Sequence, residues 1–245
     1  MKIDASGMHY RDLNARIRAA AAGGEERVEV SSASGQRYIG TGMTADLGIE
    51  IGGTPGNDLA AFMNGPRITV RGNAQDAVGN TMSGGEVLVH GHAGDLLAHS
   101  MRGGTLMVRD SAGYRAGIHM KSFGERSPAV VVGGKVGDYA GEYMAGGMLV
   151  VLGLVGEEGK PIAGRYLGTG MHGGEIFVRG GVEPHQLGKE VGRAEIDDDA
   201  WARLSKVLAR FAEEFGVEAA AKFERADFIR LVPTSHRPYG TLYVY

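Results

Sequence analysis

Short apolar alternations recur through the middle of this chain, and glycines bound each of them. In Glu86-Val87-Leu88-Val89, the side chains of Val87 and Val89 lie on the same side of an extended backbone. Period-two alternation of this kind predicts a half-buried β-strand. The same spacing recurs in the inward pairs Ile68 and Val70, Leu106 and Val108, Val130 and Val132, Leu149 and Val151, and Ile176 and Val178.

A methionine lies seven residues before the last valine of each alternation, except after Met120, where a short insertion intervenes. The first four, Met63, Met82, Met101 and Met120, are spaced by 19 residues, and Met144 and Met171 follow after insertions of five and eight residues that keep the register. A period of about 20 residues or more indicates a solenoid with one rung per repeat. With an early, irregular rung at Ile51, the repeats run from about 40 to 181 and predict about seven rungs. We interpret the methionine column as filling of the core.

Glycine accounts for 42 of the 245 residues and also follows the repeat. Tight corners between strands need backbone angles at positive φ, which glycine adopts freely. One glycine column contains Gly79, Gly117 and Gly141, and Ala98 replaces glycine in it. Because alanine is less comfortable there, we expect a small local distortion of the coil near Ala98.

The flanks of the repeat predict helices. Tyr10, Leu13 and Ile17 share one helical face, and a strand is expected around 27–30. An amphipathic helix is predicted from the acidic run at Asp197 to the stop at Gly216. We favour this helix as a cap on the end of the coil, with docking of a partner as the alternative. The domain prediction is an N-terminal cap at 1–39, the coil at 40–183, and a C-terminal helix with an extended, proline-containing arm at 184–245.

Composition narrows the function classes. The formal net charge of −3 gives no basic footprint for nucleic acid. No apolar run approaches the roughly 18 residues needed to cross a bilayer, and the first residues do not form a signal peptide, so we expect a cytoplasmic protein. The absence of cysteine excludes disulfides, thiolate nucleophiles and cysteine-ligated clusters within this sequence.

Two sets of polar residues are candidate metal ligands. Asp76, Asp95 and Asp138 stand in register, in a column that also contains Asn57 and Tyr114. Asx residues are typical of turns, and this is the favoured interpretation. Carboxylates on adjacent rungs would lie about 5 Å apart and repel, which invites a bound cation or a basic side chain of a partner as the alternative. His90 and His92 form a His-x-His pair that suits a metal, although structural surface histidines are the favoured interpretation.

Longer motifs carry a family resemblance over nearly the whole chain. They are GTPGNDLAAFMNG (53–65), GNAQDAVGNTM (72–82), GEYMAGG (141–147), GTGMHGG (168–174) and RPYG (237–240). Together with the GXGXG-type repeat, they resemble the C-terminal domain of the glutamate synthase large subunit, here as a free-standing subunit. The repeat is also similar to that found in one subunit each of formylmethanofuran dehydrogenase, of the related formyltransferase/hydrolase complex, and of N-methylglutamate synthase.

The resemblance implies an all-β fold, a right-handed parallel β-helix with flanking N- and C-terminal helices, acting as a non-catalytic scaffold. It implies partner subunits that carry the chemistry: a glutaminase and an FMN-binding synthase with an iron–sulfur cluster. We assign no catalytic, cofactor-binding or metal-binding residue to this chain. Met43, Gly56, Asn57 and Phe62 are candidates for the surface between domains. The alternatives are the scaffold of a one-carbon or N-methylglutamate complex and a stand-alone β-helix enzyme.

Overall fold

The structure is a computed structural model that describes residues 1–156 and 159–234. The α-helices are α1 (Tyr10–Ala22) and α2 (Asp198–Phe215), and 3-10 helices lie at Pro184–Gln186, Glu218–Lys222 and Arg225–Asp227. The strands are β1 (Lys2–Asp4), β2 (Arg27–Ser34), β3 (Gly48–Thr54), β4 (Asn64–Val70), β5 (Gly84–Val89), β6 (Thr105–Val108), β7 (Ala129–Val132), β8 (Ala145–Val151), β9 (Gly173–Arg179), β10 (Val191–Ala194) and β11 (Phe228–Pro233).

The strands form one sheet that confirms the predicted parallel β-helix. Strands β1 to β9 pair in parallel in sequence order, and β11 and then β10 add antiparallel strands beside β9. Ile49 pairs with Ile68, Ile68 with Val87, and Val87 with Leu106, so successive rungs are offset by one 19-residue repeat. The coil makes about six turns rather than about seven. The predicted count of about seven rungs is therefore slightly too high.

The inward side chains form the core, as the alternation predicts. Both members of each predicted inward pair are buried, and so are the methionines of the column, from Met63 to Met171. The interpretation of the methionines as core filling is confirmed. Helix α1 buries Leu13, Ile17 and Ala20 against this same core. It therefore closes the N-terminal end of the coil.

Helix α2 has the predicted ends but not the favoured position. The Asp197 carboxylate caps its first turn by accepting from the N–H of Ala200 at 2.8 Å, and Gly216 ends it with φ of 66°. The helix does not cap the end of the coil. It lies on the outer face of the sheet and buries Leu204, Leu208 and Phe211 there. The residues that it covers are the outward, apolar side chains of five consecutive strands: Leu88, Met107, Val131, Val150 and Phe177.

The outward-facing side chains of the sheet, taken strand by strand, explain why α2 lies in this position. In β5 to β9 the central outward residues are apolar and need a cover, whereas the earlier strands place Glu29, Glu50 and Thr69 outward. Polar side chains are stable in water, so α2 stops where the column becomes polar. Of the predicted extended arm, Val232 and Pro233 belong to β11, and residues 235–245, with the RPYG motif, lie outside the described residues.

Candidate functional site

The acidic column is a hydrogen-bonded ladder between rungs. Oδ1 of Asp76 accepts from the backbone N–H of Asp95 at 2.9 Å, and Oδ1 of Asp95 accepts from that of Tyr114 at 2.8 Å. Asp138 accepts from the N–H of Arg165 in the same way at 2.8 Å. One oxygen of each carboxylate is thus used by the neighbouring rung, which favours the turn-forming interpretation over a cation site. Within 1–156 and 159–234, no three His, Asp or Glu residues are grouped to hold a metal ion.

The two histidines of the His-x-His pair have different surroundings. Nδ1 of His92 accepts from the N–H of Ser111 at 3.2 Å, and so continues a second ladder between rungs. The ring of His90 lies edge-on to Phe215 of α2, with 4.9 Å between centroids, and Nε2 of His90 is 3.1 Å from an Arg71 guanidinium nitrogen. Burial, and then the charges of Arg71 and Arg109, lower the pKa of His90. These contacts agree with structural roles for both rings.

The glycine-rich corner has an unusual backbone that repeats along the whole coil. At each corner, three alternate residues have positive φ, as at Tyr139 (63°), Gly141 (69°) and Tyr143 (52°). The middle position belongs to the predicted glycine column, where Ala98 has φ of 58° and Gly117 has 73°. Ala98 keeps the same conformation as its glycine neighbours and makes the corner's bond from its N–H to the Val78 carbonyl, at 2.7 Å. The predicted distortion near Ala98 is therefore wrong, because this bond to the neighbouring rung holds alanine in the left-handed region.

Aromatic, histidine and arginine side chains occupy the first and third positions of several corners, and we call this set the left-handed ridge. Its members share positive φ, and those that are more than a third exposed are Phe62 (59%), Tyr143 (48%), Tyr166 (47%), Tyr38 (38%) and His119. The full set is Tyr38, Phe62, Arg115, His119, Tyr139, Tyr143 and Tyr166. Exposed aromatic residues in a disfavoured backbone conformation are the strongest functional signal on the described surface.

The rings of the ridge are stacked along the coil axis. Tyr139 and Tyr166 stack with centroids 4.8 Å apart and planes 14° apart, and the Arg115 guanidinium lies 4.7 Å from the Tyr139 ring centroid. His119 and Tyr143 form a second stack, 5.3 Å apart at 17°. Nε of Arg115 donates to the Glu142 carboxylate at 3.0 Å, which balances the charge of the first stack.

A polar network lies beside these stacks. The Asn80 amide donates to Asp58 at 3.0 Å, Nδ1 of His99 lies 3.1 Å from Oδ1 of Asn80, and Nε2 of His99 lies 3.4 Å from Oγ of Ser100. Burial, and then the neighbouring His119, lower the pKa of His99. The Ser100 hydroxyl, the His99 imidazole and the Asn80 amide thus have the arrangement of a nucleophile, its base and a group that orients the base.

The surroundings of Ser100 do not complete a catalytic site. An acyl-transfer site needs N–H groups that are free to hold an oxyanion. The N–H of Ser100 donates to the Ile118 carbonyl at 2.8 Å, and that of Met101 donates to the Ala98 carbonyl at 3.1 Å. Both amides nearest the hydroxyl are therefore used by the fold. The network orders the corner rather than preparing a nucleophile.

Among the predicted surface candidates, the structure separates one from the others. Phe62 is exposed on the ridge, whereas Met43 is buried and Gly56 lies where a Cβ would be 2.3 Å from the Gly35 carbonyl oxygen. The sequence reasoning missed Tyr139, Tyr143 and Tyr166. The signal in the sequence is that these tyrosines flank the corner glycines in register.

The fold and the surface define a parallel β-helix protein with glycine-rich corners. The model of the GXGXG motif family matches residues 22–234, and the chain belongs to this family, which includes the C-terminal domain of the glutamate synthase large subunit. None of the described helices is long and apolar enough to cross a membrane.

Two relatives extend this comparison. An uncharacterized protein of Methanocaldococcus jannaschii is 46% identical over 248 residues, which cover 98% of this chain and 95% of the relative. A chain in the crystal structure of the formyltransferase/hydrolase complex of Methylorubrum extorquens, in complex with methylofuran, is 20% identical. That match has a TM-score of 0.58 and covers 79% of this chain and 68% of the other. It establishes similarity of fold.

Proposed function

We propose that this chain is a non-catalytic scaffold subunit of a multi-subunit enzyme complex. One observation carries the proposal. Four of the side chains that were candidates for metal binding are hydrogen-bonded to the backbone of neighbouring rungs. The carboxylates of Asp76, Asp95 and Asp138 and the imidazole of His92 accept backbone hydrogen bonds between rungs. A rigid coil with ordered corners, rather than a reactive pocket, is what such an arrangement provides.

The complex that we infer is of the glutamate synthase type, in the cytoplasm. Membership in the GXGXG family and the motifs GEYMAGG and GTGMHGG support this assignment. The scaffold would hold a glutaminase subunit beside an FMN-binding synthase subunit with an iron–sulfur cluster, so that ammonia released from glutamine reaches 2-oxoglutarate. The cluster would belong to a partner, since this chain has no cysteine to ligate it, and the flavin would belong to the same synthase subunit.

A second candidate is the equivalent scaffold of a formyl-transferring complex. The fold similarity to a chain of the formyltransferase/hydrolase complex favours it. Both candidates share the scaffold role and differ in the partners, so the identity of the partners separates them.

The test is purification of the affinity-tagged chain from its own host, with a strain that expresses the tag alone as the control. Mass spectrometry would identify the recovered subunits, and a visible absorption spectrum would detect flavin and iron–sulfur clusters. Recovery of a glutaminase and a flavin-containing synthase is the expected result. Recovery of formyl-transferring subunits would move the assignment to the second candidate. Robust glutaminase or lyase activity of the isolated chain would overturn the scaffold role.

A further inference from the structure

Three tyrosines of the left-handed ridge are placed at a cost to the fold. Tyr139, Tyr143 and Tyr166 have φ of 63°, 52° and 60°, a region that residues with a side chain adopt unfavourably. Burial does not compensate for this at Tyr143 and Tyr166, which are about half exposed. Glycine occupies the third position, which is that of Tyr143, at Gly42 and Gly170, and alanine occupies the first position, which is that of Tyr139 and Tyr166, at Ala77. The corner itself therefore does not require an aromatic residue at either position. The tyrosines therefore have a purpose outside the fold of the isolated chain.

The rings are held by contacts with other residues of this chain. Gly170 makes this possible for Tyr143, since a Cβ on Gly170 would lie 2.4 Å from Cδ1 and Cε1 of that ring. Tyr143 is held on its other side by His119, and Tyr139 is held between Arg115 and Tyr166. Pre-ordered side chains lose little rotamer freedom when they bind, which favours affinity.

The charges of the ridge indicate what binds there. The guanidinium of Arg115 is paired with Glu142, whose side chain is only 12% exposed. Nucleic acid and anionic membranes require uncompensated cations, whereas Arg115, the permanent cation among the stacked side chains, is compensated. The centres of protein–protein interfaces are instead depleted of net charge and enriched in tyrosine and arginine. A neutral aromatic ridge is complementary to an uncharged protein segment.

We propose that the stacked part of the ridge, formed by Arg115, His119, Tyr139, Tyr143 and Tyr166, is the docking site for an uncharged, extended segment of a partner subunit. Proline or apolar side chains of the segment would pack on the faces of the tyrosine rings, as in aromatic grooves that bind extended peptides. The inference rests on the proposed scaffold function only in requiring a protein partner. It does not depend on which complex that partner belongs to.

The test uses the whole complex and glycine substitutions. The triple variant Tyr139→Gly, Tyr143→Gly and Tyr166→Gly removes the rings and also relieves the left-handed backbone. Phe123→Ser is the matched control, because Phe123 is an aromatic residue that is 66% exposed and does not belong to the ring stacks of the ridge. Affinity for the subunits that are purified with the wild-type chain is measured by calorimetry, and the melting temperature of each variant is measured alone.

If the ridge is a docking site, the triple variant should bind the partner roughly 30-fold or more weakly, which is the effect of losing one interface hot spot. Its melting temperature should change by no more than the melting temperature of the Phe123→Ser control changes. A purely structural role predicts the reverse, a lower melting temperature with unchanged affinity, and would overturn the proposal. So would a ridge-dependent dimer of the isolated chain in sedimentation velocity, because the occupant would then be a second copy.

A photo-crosslinking residue at position 143 gives an independent measurement. In the assembled complex it should form crosslinks to a partner subunit in an uncharged segment, whereas the same residue at position 123 should not. Crosslinks from position 143 to subunits other than a glutaminase or synthase would contradict the glutamate synthase assignment and support the docking site. A glutaminase and synthase that bind the triple variant normally would support the assignment and overturn the docking site.

Discussion

The Asp95 carboxylate accepts a hydrogen bond from the backbone N–H of Tyr114, one rung further along the coil, at 2.8 Å. The two residues are 19 positions apart, so the contact repeats the period of the sequence. The Cβ of an alanine at Gly113 would be 2.0 Å from that carboxylate oxygen, which explains why a glycine accompanies the aspartate in the repeat. Side chains and glycines of successive rungs thus form one structural unit.

The first prediction concerns this ladder. Asp95→Ala leaves the Tyr114 N–H without its partner and should lower the free energy of unfolding by about 1–2 kcal/mol, whereas Asp95→Asn keeps an acceptor oxygen and should cost less. Urea denaturation measures both, with Asp46→Ala, at an exposed position, as the control. Stabilisation of the wild-type chain by added calcium, lost in the Asp95→Asn variant, would contradict the ladder and restore the cation hypothesis.

The second prediction compares two corner glycines with nearly the same backbone. Gly79 and Gly117 have φ of 72° and 73°, but a Cβ on Gly79 would be 2.5 Å from Cδ1 of Leu106, whereas one on Gly117 would be 3.5 Å from Cδ2 of Leu149. Gly117→Ala should therefore cost about 1–2 kcal/mol for the left-handed conformation alone. Gly79→Ala should cost about 1–3 kcal/mol more, because the buried leucine must also move. Equal denaturation midpoints for the two variants would show that the corner, not the core, limits substitution.

The third prediction concerns the cover on the outer face. Phe211 of α2 is fully buried against the sheet, and Phe211→Ala should lower the free energy of unfolding by about 3–5 kcal/mol. Phe123→Ala, at an exposed aromatic residue, should change it by less than about 0.5 kcal/mol. The rate of amide hydrogen exchange in β6 to β8, which are strands that α2 covers, should increase in the Phe211→Ala variant. Unchanged exchange there would mean that the sheet is stable without its helix.

The fourth prediction is a dependence of stability on pH. Burial is the main cause that lowers the pKa of both His90 and His99 below the ordinary value of 6.5. Between the lowered pKa and 6.5, the unfolded chain binds more protons than the folded chain. Stability should therefore be fully present above pH 6.5 and decrease as the pH falls below it.

Replacement of both rings, His90→Gln with His99→Gln, should flatten this dependence in melting temperatures recorded between about pH 5 and pH 8. His185→Gln is the control, because His185 is an exposed residue. A double variant with the same pH profile as the wild-type chain would assign the dependence to other groups.

Local periodicity in the chain specifies the coil. The 19-residue period of the methionines and the alternation at positions such as Val87 and Val89 predicted the strands, the register and the inward side of each rung, because these depend on neighbouring residues. The ends of α2 were predictable in the same way, since Asp197 and Gly216 act on the backbone next to them.

The position of α2 and the role of the polar columns came from the tertiary structure alone. The alternation identified Leu88 and Met107 as outward, but only the stacking of five strands joins them into an apolar strip long enough to hold a helix. The acidic column could be read as repelling carboxylates until the rung spacing placed the Tyr114 N–H beside Asp95. The aromatic ridge arises likewise from contacts between rungs, since Tyr139 and Tyr166 are 27 positions apart in the chain but 4.8 Å apart in space. Such contacts depend on the closure of whole turns, and no local pattern specifies them.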